Sequence, residues 1–67
     1  MNETQLRQAA RRAYEYRRDR GHLNDVSDAR WYASETVAEL PISEFDDHSI
    51  SIVVGEMVRL AKRDGLS

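Results

Sequence analysis

The chain has 67 residues, no cysteine, 33% charged residues and a formal net charge of −2. A chain of about 60 residues forms one domain and buries only roughly 60% of the surface its unfolded form exposes. Without cysteine it has neither disulfides nor thiolate metal sites, so the missing support must come from regular helix packing or self-association. No apolar run is long enough for a bilayer, and the first residues lack the basic-then-apolar order of a signal peptide, so the sequence predicts a soluble, cytoplasmic protein with no membrane contact.

The charge is unevenly spread. Residues 1–21 hold six arginines against three acids, a net +3, and the remainder holds four basic residues against nine acids, a net −5. That polarity serves either an external anionic partner or the docking of the first helix on the acidic part of its own chain or of a twin.

In chain order, Asn2 or Thr4 can cap a first helix that runs to about residue 20, where Gly21 ends it. Leu6, Ala9, Ala10, Ala13 and Tyr16 recur at helical spacing and predict a buried stripe of mostly small residues. Arg7, Arg11, Tyr14 and Arg18 form a second stripe, predicted to face outward. It reads either as a solvated face whose arginine stems cover the ring or as a contact surface, since arginine and tyrosine concentrate at interfaces.

After the connection His22–Val26, Asp25 or Ser27 can cap a second helix over about 28–40. Its inward residues are predicted as Ala29, Tyr32, Ala33, Thr36, Val37 and Leu40. Trp31 falls on the other side of this helix. Either the first helix or the following loop covers it, or it anchors a partner, tryptophan being over-represented among the residues that dominate binding energy.

Pro41 disfavours helical geometry at Leu40 and ends the second helix. Ile42 and Phe45 are expected as plugs beneath the joint. Residues 46–66 then carry a start signal, a helical period and a stop signal together. Asp46, Asp47 or Ser49 can cap the third helix, Lys62 and Arg63 suit its negative end, and Gly65–Leu66 reads as a left-handed stop. Ile50, Val53, Val54, Met57, Leu60 and Ala61 predict its buried face. Ile52, Val58 and Arg59 are expected on the exposed side. Gly55, costly inside a helix, is expected to be compensated by close approach of another helix or chain.

The fold class is therefore all-α, a small three-helix bundle with helices at about 3–20, 28–40 and 47–64 in a single domain over 1–67, with a dimer as one way to cover Ile52. No glycine-rich phosphate loop, nucleophile elbow or zinc-enzyme spacing is present, and no carboxylate pair is singled out by position. Asp46-Asp47-His48 reads as helix capping rather than a metal site. No catalytic residue, cofactor, metal or small-molecule substrate is assigned.

Two binding functions remain. The first is a noncatalytic protein-interaction module, adaptor- or inhibitor-like, that binds a protein partner or itself through Arg7, Arg11, Tyr14, Arg18, Trp31, Ile52 and Arg59. The second rests on the run TVAELPISEFDDHSISIVVGEMVRLAKRDGL, residues 36–66, which resembles a helix-turn-helix: a helix, a break, then a helix with a Ser-Ile-Ser-Ile start. That resemblance implies DNA binding with Ser49, Ser51, Ile52 and Arg59 facing the groove. The acidic pair Asp46–Asp47 sits where phosphate would lie, and the sequence pI of about 5.6 is not that of a basic domain, so nucleic acid ranks second.

Overall fold

Three capped, helix-periodic segments give three helices in the computed structural model, which describes residues 1–41 and 46–67. They are α1 (Glu3–Asp19), α2 (Val26–Ala38) and α3 (Asp47–Arg63). The expected plugs Ile42 and Phe45 lie outside the described residues.

Each helix starts where a short polar side chain can take an orphan backbone N–H. Asn2 caps α1 in a reciprocal capping box: its side chain accepts the Gln5 N–H at 2.8 Å, and the Gln5 side chain accepts the Asn2 N–H at 2.9 Å. Asp25, not Ser27, caps α2 by accepting the Asp28 N–H at 2.8 Å, so the helix begins at Val26, two residues earlier than predicted. Asp46 caps α3 by accepting the Ser49 N–H at 2.6 Å.

The α1 and α3 ends share one device. Gly21 and Gly65 adopt φ of +72° and +82°, which only glycine takes cheaply. The next residue then folds back, His22 N–H donating to the Arg17 carbonyl at 3.0 Å and Leu66 N–H to the Ala61 carbonyl at 2.9 Å. The latter turn brings Leu66 against the core and Ser67 beside α2, where its carbonyl accepts the Val26 N–H at 3.0 Å.

The three helices pack against one another in a molecule of 32 × 18 × 17 Å, with α3 the common partner of α1 and α2. The core holds Leu6, Ala10 and Tyr14 from α1, Val26, Ala29, Ala33 and Val37 from α2, and Ile52, Val53, Met57, Leu60 and Ala61 from α3. Because α3 meets two neighbours, its buried residues from Ser49 to Ala61 span roughly half its circumference, wider than the single stripe of a surface helix. Ile52 is thereby drawn into the core at 8% exposure, and Ile50 is left half-buried. The expectation of an exposed Ile52 is corrected.

Gly55 also departs from expectation. It is exposed, and a Cβ placed on it would meet no atom within 4 Å. None of the described helices approaches it closely.

Candidate functional site

The sequence's candidate residues fall on three surfaces. The first is the seam between α1 and α3. Arg7 and Arg11, one turn apart on α1, both reach Glu56 of α3, with Arg7 Nη1 at 3.3 Å from Oε1 and Arg11 Nε at 2.8 Å from Oε2. Arg59, one turn further along α3, adds a two-pronged contact of 3.0 and 2.8 Å to the same carboxylate. Glu56 is only 1% exposed, yet every buried polar side-chain atom among the described residues has a partner. Sequence reasoning placed Arg7, Arg11 and Arg59 on contact surfaces but missed the carboxylate that gathers them. Glu56 lies at the edge of the expected α3 stripe, about 100° from its centre, and is buried because α3 packs on both neighbours.

Glu56 is held well below the usual carboxylate range, at about 2, chiefly by the Arg59 hydrogen bonds and then by Arg11, against the opposing cost of burial. The arginines keep solvent on their outer edges, so the cluster is an ion-pair clamp between helices, open on one side.

Further down the same seam Tyr14 is fully buried, a correction to its predicted outward position. Its ring joins the core and its hydroxyl donates to Asp64 Oδ2 at 2.7 Å, at the C-cap of α3. Burial first, then this hydrogen bond, pushes the phenol up to about 12. Arg63 hydrogen-bonds the same carboxylate, with Nε 3.1 Å from Oδ1, and with Tyr14 holds Asp64 below its ordinary value. Arg18 stands 4.0 Å from it. The arginine and tyrosine stripe is therefore turned onto the acidic groups of its own chain.

The second surface is a groove of about 480 Å³ between α1 and α2, lined among others by Ala9, Ala13, Tyr16, Tyr32 and Leu40. Tyr16, predicted inside, is 50% exposed here. Its ring lies 3.5 Å beneath the Arg20 guanidinium, while Arg17 sits 4.4 Å above Tyr32 and pairs with Glu35 at 3.3 Å. His22 stacks on Tyr32 with ring centroids 6.0 Å apart. The aromatic faces of this groove are thus covered by the chain's own cations and rings, and its rim balances Arg12 and Arg17 against Glu35 and Glu39.

The third surface is the outward face of α2. Trp31 is 64% exposed at its middle, on the side away from Ala29, Ala33 and Val37. The first helix does not cover it, and residues 42–45 of the following loop, the other expected cover, lie outside the described residues.

Comparison with protein families, with curated proteins and with solved structures finds no match to this chain. The functional reading therefore rests on these surfaces alone. Of the groove-facing set implied by the helix-turn-helix resemblance, Ser49 and Ile52 are 4% and 8% exposed and Arg59 is held by Glu56; only Ser51 is exposed and uncommitted. Two of these four residues, Ser49 and Ile52, thus lie on the face of α3 that packs on α1 and α2. The reason is the same wide burial arc that overturned the exposed Ile52.

Proposed function

We propose that this chain is a small noncatalytic protein-interaction module whose contact surface is the outward face of α2 around Trp31. The observation that carries the proposal is the exposure of Trp31 where the other described large rings, Tyr14, Tyr16 and Tyr32, are buried or tucked under cations. Covering the exposed part of such a side chain is worth roughly 3 kcal/mol, a large gain for a single residue of a small module. Tryptophan also concentrates among the anchors that dominate binding energy. The arginine seam, by contrast, finds its acidic partners within the chain, so its first role is to hold α1 on α3.

Trp31 is the sole tryptophan, so its fluorescence reports on this surface without interference. The free chain at low concentration should emit as a water-exposed indole, and binding should shift the emission to shorter wavelength. Trp31→Ala should keep the helical signal and the melting temperature while losing capture of the partner. Retention of the same partner by the alanine variant would overturn the proposal.

A further inference from the structure

We infer that the partner seated on this face is a second copy of the chain, with the two α2 helices running parallel about a two-fold axis. The inference rests on the preceding reading that the α2 face is the contact surface, and it adds the occupant and its orientation.

The outward residues Ser27, Trp31, Ser34 and Ala38 follow one another at steps of four, three and four, which is the spacing of a two-helix seam. In a parallel pair each seam residue meets its own counterpart, so the two Trp31 rings cover each other. Ser27, Ser34 and Ala38 are small enough to let the backbones close around them.

Charge then selects the orientation. Arg30 and Glu35 flank Trp31 on opposite edges of the seam, five residues apart, and both are exposed. In a parallel pair an edge residue faces the opposite edge of its neighbour, so Arg30 of each copy meets Glu35 of the other, twice by symmetry. In an antiparallel pair each edge faces itself, which sets Arg30 against Arg30 and Glu35 against Glu35.

Arg30 has no ion pair or side-chain hydrogen bond among the described residues, whereas most of the other arginines are engaged within the chain. Glu35 uses one oxygen for Arg17 at 3.3 Å and stays 45% exposed, with its second oxygen open. The α1 and α3 helices lie behind α2 and leave this approach clear.

The test is sedimentation equilibrium of the full chain across a dilution series, read together with Trp31 emission. The wild-type mass should rise from 7.8 kDa toward twice that value as the emission shifts to shorter wavelength. Trp31→Ala should remain monomeric with its helicity intact. Arg30→Glu and Glu35→Arg should each weaken association roughly tenfold, because both symmetric pairs become repulsive. The double variant Arg30→Glu/Glu35→Arg should recover it, and an equimolar mixture of the two single variants should form a mixed dimer. Circular dichroism of every variant separates lost association from lost folding.

A wild-type chain that stays monomeric at every concentration overturns the inference. If that monomer still binds another protein in a Trp31-dependent way, the α2 contact surface stands and only the second copy is wrong. A dimer indifferent to Trp31→Ala overturns the inference, and the α2 contact surface then stands or falls on the Trp31→Ala capture test. A dimer that needs Trp31 but ignores the single charge reversals overturns the parallel arrangement.

Discussion

At the scale of single residues, the seam between α1 and α3 is where chemistry and stability meet. Glu56 is ionised in the fold at a pH where the unfolded chain would protonate it. Its folded value of about 2 lies below the ordinary 4.5, so the stabilisation is complete above about pH 4.5 and is lost as pH falls toward 2. For so buried a group the effect is on the order of 3 kcal/mol. Glu56→Gln should therefore destabilise the protein by about 2 to 3 kcal/mol at pH 7 in chemical denaturation. It should also flatten the acid limb of the stability profile, an outcome that a purely steric role of Glu56 would not produce. Tyr14 carries the opposite sign. Its folded value of about 12 lies above the ordinary 10, so its contribution holds below pH 10 and fades as pH rises through 12. Tyr14→Phe keeps the ring in the core and removes only the bond to Asp64. It should cost about 1.5 kcal/mol and abolish that alkaline loss, measured by thermal melts at pH 8 and pH 11.

At the scale of the helix, α3 shows how an element's neighbours set the use of its faces. Gly55 interrupts a run of otherwise adequate helix formers on an exposed side where a methyl group meets nothing within 4 Å. Gly55→Ala should therefore stabilise the isolated chain by roughly 0.5 to 1 kcal/mol, seen as a higher denaturation midpoint with an unchanged slope. A loss of stability instead would reveal a backbone approach that this arrangement of helices does not contain. On α2 the exposed Trp31 makes no core contact, so Trp31→Ala should alter the stability of the monomer by no more than about 0.5 kcal/mol. That near-neutrality separates a binding residue from a packing one. The helix ends were the most legible part of all three elements. Asn2, Asp25, Asp46, Gly21 and Gly65 act through bonds to backbone groups only a few residues away, so their roles follow from local sequence.

At the scale of the whole molecule, the division of charge seen along the chain becomes an internal fit. The arginine-rich first helix meets Glu56, Asp64 and Glu35, acids from the part of the chain with net charge −5. The guanidinium groups that meet these acids keep their outer edges in solvent, so the position of the ion pairs, more than their number, sets what remains open to a partner. Because these pairs are half open to water, salt should weaken them, and the melting temperature should fall modestly between low and high ionic strength at pH 7. The same titration on Glu56→Gln should show a smaller fall. The α2 face lies outside this internal fit. Its one large apolar group is the Trp31 ring, and Arg30, unpaired among the described residues, stands five residues from an acid that is only half engaged.

The sequence by itself determined that there would be three helices, their ends to within about two residues, and that Trp31 would stand apart from the core, because capping, periodicity and glycine stops act within one or two turns. It could not decide which of Tyr14 and Tyr16 would be buried. At roughly 100° per residue the two rings flank the Leu6–Ala10–Ala13 centre at nearly equal angles on opposite sides. Only the tertiary structure broke that tie, because α3 brings Asp64 to the side of Tyr14 to receive its hydroxyl, while the side of Tyr16 opens onto a groove. The inward turn of Ile52 and the burial of Glu56 have the same origin. A helix clasped by two neighbours buries about half of itself, and how wide an arc is buried depends on partners distant in sequence, which local spacing does not reveal.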